Sequence, residues 1–506
     1  MKRLYKELES YSHKDYYPFH MPGHKRNPFS VDGEFPFDRD ITEINGFDNL
    51  HHPMGILREA QEEAARIYGA CKSFYSVNGS TAAILSAVSA AVSKGGEILM
   101  ARNCHKSVYH ALYLRDLQPT YIYPHADHKL GINGGISPRH VERCLEENPN
   151  IEAVLITSPT YDGIVSNVKE IAEIAHSHGV PLIVDEAHGA HFCFSDYFPV
   201  SAVDMGADVV IQSLHKTLPA MTQTALLHLC SDRVESGKIR RFMGVYQTSS
   251  PSYVLMASID ACMDKLAREG RQMFKEFTGN LDTTRERLQK CRHIRLLDAD
   301  MMGGTEIYDY DRSKLLFSTV GSSINGSQLH TILREEFHLE MEMEAEYYVL
   351  GMATVGDTQE GLERLCNAIE EIDRREAEKA SAETWKEAGE PNIPQDSGEY
   401  RDAKGAEDSR ESKEKTGEGH PYIRMKQMMR IPQALEAPER RYPLEESVGR
   451  ISSEFAYLYP PGIPILVPGE QITGLFVRNV RRYMEQGLEL QGLSDSTNET
   501  ICVVKE

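Results

Sequence analysis

The stretch VPLIVDEAHGAHF at 180–192, continued by ADVVIQSLHKTLPAMTQTA at 207–225, decides how this chain folds. Residues 181–184 and 207–211 are short, rich in β-branched side chains and bounded by Gly and polar residues, which predicts two fully buried strands. The first runs into a carboxylate, Asp185, and the second leads to a lysine, Lys216. In an open parallel sheet, ligands bind in the crevice beyond the carboxyl ends of the strands. Asp185 and Lys216 are therefore expected to face one pocket.

Working outward from this core, further strands are expected at 73–77, 97–101, 120–124 and 153–157, with helices at 57–68 and 168–178 between them. This alternation over about 70–225 indicates an α/β layer with a mostly parallel sheet. Residues 78–85, NGSTAAIL, place a Gly and two hydroxyls, Ser80 and Thr81, at the start of an alanine-rich helix. Backbone N–H groups, hydroxyls and the positive helix end converge there on an anion such as a phosphate. An ordinary Ser/Thr N-cap gives the same letters. His105, at the end of the strand 97–101, is placed either to stack on a flat cofactor or to cap the next helix.

An amine and a carboxylate on neighbouring strand ends suit pyridoxal 5'-phosphate, whose aldehyde needs a lysine and whose ring nitrogen needs an acid. The pair alone leaves open a solvated loop lysine and a capping aspartate. The letters 185–188, DEAH, also occur in nucleic-acid-dependent NTPases, but that chemistry requires a G-x-x-x-x-G-K-[ST] phosphate loop, and the chain contains none. A net charge of −21 argues further against a nucleic-acid partner.

The length of 506 residues implies several domains. No apolar run is long enough for a membrane span, and residues 1–20 lack the apolar core of a signal peptide, so a cytoplasmic protein is the default. Nine scattered cysteines without C-x-x-C point to reduced thiols and no zinc site. The histidine-rich residues 19–25 and 51–52 lack the spacing of a metal site, His188 and His191 at i and i+3 lack an evident third ligand, and no metal is expected.

Residues 1–60 show little periodicity and read as an arm lying on another surface. Residues 61–255 form the expected major domain. A long helix over 252–291, with Val254, Ile259, Cys262, Leu266, Met273 and Phe277 on its apolar face, bridges to a smaller α+β domain ending near 374. Residues 375–424, rich in Glu, Lys, Ser, Gly and Asp, read as a disordered or loosely helical linker. Residues 425–506 make a C-terminal α+β domain, where Glu445, Glu446, Glu454 and Glu470 are acids available to a cationic substrate tail.

Together, FHMPGHK (19–25), VNGSTAAIL (77–85), ARNCHKSVYHAL (101–112), TSPTYDGIVSNVKEI (157–171), VDEAHGAHF (184–192), SLHKTLPAMTQTALLH (213–228) and YPPGIPILVPGE (459–470) resemble the ornithine/lysine/arginine decarboxylases, fold-type-I enzymes of pyridoxal phosphate. The resemblance covers most of the chain outside about 375–425. It implies a fold-type-I, transferase-like major domain and a carboxy-lyase acting on a basic amino acid, with arginine favoured over lysine or ornithine, in polyamine metabolism. It implies that Lys216 holds the cofactor aldehyde as a Schiff base, that Asp185 holds the ring nitrogen and that His105 stacks on the ring. His188 would lie on the phenolic side and, with Lys216, be a candidate proton donor. Ser80, Thr81, Ser213 and His215 would serve the phosphate, and residues 247–253, with Thr248, would reach the partner's site in a homodimer. The chain begins almost directly at the arm, without the N-terminal wing domain of the long forms, so decameric assembly is not expected. Asp185 and Lys216 by themselves leave an aminotransferase, an aldolase or a non-catalytic amino-acid-binding paralogue open.

Overall fold

The computed structural model describes residues 2–27, 32–127, 132–298, 307–387, 424–458, 462–485 and 490–505. Its centre is a seven-stranded sheet built from β1 (Lys72–Ser76), β2 (Glu97–Ala101), β3 (Gln118–Ile122), β4 (Ile151–Thr157), β5 (Leu182–Asp185), β6 (Val209–Ser213) and β7 (Ala225–Leu229), in the order β1-β7-β6-β5-β4-β2-β3. Neighbours from β6 to β3 run parallel, whereas β7 is antiparallel to both β6 and β1. Helices cover the sheet on both faces, so the strands are continuous apolar runs rather than alternating ones. Val154, Leu155, Ile183, Val184, Val209, Val210 and Ile211 are fully buried.

The expected strands are present, 97–101 with the same bounds and the others with at least one end displaced by one or two residues, β3 at 118–122 rather than 120–124 being an example. The sequence pattern does not announce β7. A histidine interrupts its run, ALLHL, yet His228 is fully buried because its two ring nitrogens meet the Ser73 hydroxyl at 2.7 Å and the Gln212 amide oxygen at 3.1 Å.

The N-terminal arm is more regular than its sequence suggests. Leu4–Ser12 forms a helix whose Leu4 and Leu8 are completely buried. Arg3 anchors it, reaching Glu63 at 2.8 Å and Asp264 at 2.8 Å. Leu4, Leu8, Phe47 and Leu50 enter the same core as Ile259, Phe277, Phe317 and Val349, so arm, bridging helix and small sheet share one apolar interior.

The bridging helix spans Tyr253–Leu288. Its buried line runs through Ile259, Cys262, Leu266, Phe274, Phe277 and Leu281, spaced three, four, eight, three and four. Val254 and Met273, expected on that face, fall off it and are only part-buried. The small sheet is antiparallel, with Arg295–Leu296, Lys314–Ser318, Tyr348–Met352 and Met343–Glu344 side by side. A helix from Gln359 to Glu387 follows it, continuing well past the expected linker start at 375. Glu376 explains part of that: it is buried, bonded by the Ser323 N–H at 2.7 Å and by Lys379 at 2.7 Å. The rest of the expected linker, residues 388–423, lies outside the described residues, as does the Pro-rich turn at 459–461.

The C-terminal segment has its own core around Leu466, Phe476, Val480 and Ile501. It is fastened to the central sheet by a buried ion pair. Arg102, directly after β2, donates to the carboxylate of Glu470 at 3.4 Å and to the Tyr109 hydroxyl at 2.9 Å, and both charged residues are essentially inaccessible. Among the described residues no helix is long and apolar enough to cross a membrane.

Candidate active site

The crevice beyond the carboxyl ends of β4, β5 and β6 collects the titratable groups. Asp185 closes β5, level with Thr157 of β4 and Ile211 of β6, and is buried. Burial pushes its carboxyl up to about 6, and the neighbouring Lys216 amine pulls the other way. One carboxylate oxygen accepts the Ala187 N–H at 3.2 Å, so the capping alternative describes part of what this residue does. The chain leaves β6 at Ser213 into a one-turn helix, Leu214–Thr217, which delivers Lys216. Lys216 is not a solvated loop lysine. Burial lowers its amine below the usual lysine value while Asp185 and Glu342 oppose this, and its Nζ sits 2.9 Å from His188 Nε2.

The helix expected to seat an anion runs Gly79–Ala91. Gly79 has φ of +69°, a left-handed turn that a side chain would strain, and its N–H is taken by the Gln223 carbonyl at 2.9 Å. Asn78, the N-cap, makes no side-chain cap, and the Ser80 hydroxyl turns instead to the Ser213 hydroxyl at 2.6 Å. Thr81, beside them in sequence, is exposed, and His215 is held by the Thr224 carbonyl at 2.9 Å. His105 caps the helix Lys106–Arg115, its Nδ1 accepting the Ser107 N–H at 3.2 Å, and burial lowers its pKa to about 3. The imidazole is therefore neutral, as a ring that stacks on a flat cofactor can be.

Of residues 247–253, Gln247 and Tyr253 are committed inside the chain. Gln247 accepts the Val77 N–H at 2.8 Å, and the Tyr253 hydroxyl donates to the Asp48 carbonyl at 2.5 Å. Thr248, Ser249 and Ser250 remain exposed between them, with the Thr248 N–H donating to the Asn78 side chain at 3.1 Å beside the open helix start.

Two groups at the site escape sequence reasoning. Lys314, at the start of the small-sheet strand Lys314–Ser318, is fully buried, and its Nζ lies 2.9 Å from His188 Nδ1. A lysine heading the apolar run KLLFS is the only signal, and it reads equally as a strand end. Glu342 acts electrostatically on both lysines and accepts a hydrogen bond from the Tyr161 hydroxyl. Three of the four C-terminal acids need correction. Glu470 is buried against Arg102, Glu454 accepts the Ser494 and Cys502 N–H groups at 2.7 Å each, and Glu445 pairs with Arg481. Glu446 is exposed. Three of the four thus hold the C-terminal segment together. Among the described residues no cluster of His, Cys, Asp or Glu could hold a metal.

A buried acid and a part-buried amine face one crevice of a mostly parallel sheet, beside a helix N-terminus without a side-chain cap, in an α/β fold of the fold-type-I class. Solved lysine decarboxylases share this architecture. That of Francisella novicida superposes with a TM-score of 0.80 at 20% identity, covering 99% of this chain and 81% of its own. The Escherichia coli constitutive enzyme gives 0.79 at 21%, covering 99% and 82%. Residues 2–360 match the Orn/Lys/Arg decarboxylase major domain, and residues 415–494 match the C-terminal domain of the same family. Arginine decarboxylase of Bacillus subtilis (strain 168) is 34% identical over 510 residues, covering 99% of this chain and 98% of the relative, and that of Halalkalibacterium halodurans is 34% identical over 494 residues, covering 96% and 94%. The chain belongs to the Orn/Lys/Arg decarboxylase family and is an amino-acid carboxy-lyase.

Proposed function

We propose that the protein removes the α-carboxylate of arginine with pyridoxal 5'-phosphate as cofactor, releasing agmatine and CO₂ for polyamine synthesis in the cytoplasm. The observation that carries the cofactor assignment is the convergence of Lys216, Asp185 and the start of the helix Gly79–Ala91, which has no side-chain cap, on one crevice. The Ser80 and Ser213 hydroxyls, 2.6 Å apart at that helix start, have the donor chemistry to hold a phosphate, and the buried Thr217 hydroxyl in the next turn lacks a protein partner. The residues fit the group. Near-full-length identity to relatives named arginine decarboxylase supports the substrate choice.

When bound, the cofactor supplies an electron sink for the pair of electrons left as CO₂ departs. The chain's part is to position and to move protons. Lys216 would hold the cofactor aldehyde through its amine. Asp185, ionised, would hold the ring nitrogen in its protonated form through a charge-assisted hydrogen bond. His105 would lie against the ring, and Thr81 and His215 would complete the phosphate end. Lys216 or His188 delivers the proton that replaces the carboxylate at Cα. Glu342, exposed and acidic beside the two lysines, is the acid placed to meet a cationic side chain. Thr248 of one protomer serves its partner's site, which makes the homodimer the active unit.

Incubating the loaded protein separately with arginine, lysine and ornithine and identifying the amine tests the substrate. Agmatine as the main product is expected; cadaverine or putrescine in its place reassigns the specificity, and transfer of the amino group to a keto acid without CO₂ overturns the reaction. Asp185→Asn removes the charge opposite the ring nitrogen while keeping the shape. A hydrogen bond to a charged group contributes about 1.5–3 kcal/mol, so turnover is expected to fall roughly ten- to hundredfold, with the protein's stability retained. Turnover at the unaltered level would remove Asp185 from the site.

A further inference from the structure

His188 sits between two amines. Lys216 Nζ approaches Nε2 at 2.9 Å and Lys314 Nζ approaches Nδ1 at 2.9 Å, and the ring itself is buried. The hydrogen-bonding capacities of these groups restrict their protons. An ammonium can only donate, and a neutral imidazole has one N–H and one lone pair. The imidazole N–H must therefore point at an amine with a free lone pair, so at least one lysine is uncharged. An imidazolium would require both to be uncharged. In either case the three groups together carry at most one positive charge when both contacts are hydrogen bonds.

The surroundings decide where that charge sits. Lys314 faces the carboxylates of Asp311, Asp162 and Glu342, whereas Lys216 faces Asp185 and shares Glu342. His188 additionally faces His105 and His215, and its ring packs edge-on against Tyr161 with centroids 4.6 Å apart. Lys314 is also rigidly placed. Its N–H donates to the Asp311 carbonyl at 3.0 Å, and its carbonyl accepts from the Tyr310 hydroxyl at 3.0 Å. Its stem passes Gly163, where a Cβ would come within 2.7 Å of Lys314 Cγ. Burying a lysine this completely is costly, and such groups concentrate at functional sites.

We propose that Lys314 is a positioning residue that keeps Lys216 an uncharged amine: its ammonium donates to His188 Nδ1, fixes the ring as the Nε2–H tautomer, and so directs an N–H at the lone pair of Lys216. An amine attacks an aldehyde only when unprotonated, so this arrangement holds Lys216 ready to react. Burial lowers Lys314 to about 8, which leaves it charged at neutral pH, and burial together with the Lys314 ammonium holds His188 neutral. The inference takes its purpose from the reading of Lys216 as the residue that accepts the cofactor aldehyde, but its test needs no cofactor.

The test is pulse acetylation of the full-length, cofactor-free chain with acetic anhydride across neutral to alkaline pH, reading modification of residue 216 by mass spectrometry against the exposed Lys169. In the unaltered protein Lys216 is expected to titrate below the ordinary lysine value of about 10.4. In Lys314→Met the ring is free to accept from a Lys216 ammonium, and the midpoint should rise by about one pH unit or more. An unchanged midpoint in Lys314→Met overturns the proposal. Ring ¹⁵N resonances of His188 in the unaltered chain provide a second reading that does not depend on the variant folding. Nε2–H is expected, and Nδ1–H overturns the assignment by making Lys314 the uncharged partner. Failure of the cofactor to attach at a low-titrating Lys216 would count against the proposed function and not against this inference.

Discussion

Lys216→Ala is expected to abolish decarboxylation and, with it, the covalent retention of pyridoxal phosphate. On the proposed function, two contributions disappear with one side chain: the amine that would hold the aldehyde, and one of the two candidate proton donors at Cα. Positioned proton transfer alone is worth about 10²–10⁴-fold, so the combined loss should exceed that range. The fold should survive. Lys216 sits on a one-turn helix after β6, its side chain makes a single hydrogen bond, to His188, and removing a part-buried amine relieves a desolvation cost. The measurement is CO₂ release alongside a circular-dichroism melt. Retained turnover would contradict the role given to Lys216, and loss of the native melt would show a structural role instead.

Glu470→Ala is expected to produce the largest loss of stability. The carboxylate accepts from both Arg102 and the Val467 N–H, and the Arg102 guanidinium lies 5.5 Å from the ring centroids of Tyr109 and of Tyr121. Burial raises the Glu470 pKa, which Arg102 opposes, as befits a charge held in place by its partner. Removing the acid leaves Arg102 buried without its counter-ion, and breaking such a pair costs about 3–5 kcal/mol. Replacing the whole pair by apolar residues should cost less, because no charge is left uncompensated. Amide exchange of the C-terminal strand Thr500–Val504 reads the effect, since this segment joins the central sheet partly through that pair. Faster exchange there, with β4 and β5 unaffected, is the expected pattern; equal protection in variant and parent would show that the pair contributes little.

The central sheet was legible because strands buried on both faces leave unmistakable apolar runs, and because a parallel sheet puts its ligand crevice at one predictable edge. Asp185, Lys216 and the Gly79–Ser80 helix start follow from that rule. What was not legible depended on distant partners. β7 carries a histidine whose acceptability is set by Ser73, 155 residues away. The arm's first helix is too short and too polar to announce itself, and is held by Arg3 reaching Glu63 and Asp264. Lys314 looks like a strand end until the fold carries it from the small sheet to His188, 126 residues earlier. Glu454 and Glu470 read as free acids because nothing local reveals the N–H groups and the arginine that occupy them. In each case the local pattern was a fair reading of local chemistry, and a long-range contact changed its meaning.

Borohydride reduction of the pyridoxal phosphate-loaded protein, followed by digestion and mass spectrometry, tests the central claim most directly. The account predicts the cofactor's added mass on the peptide containing Lys216. Attachment at Lys314, the other amine beside His188, or at no residue of this crevice, would contradict it.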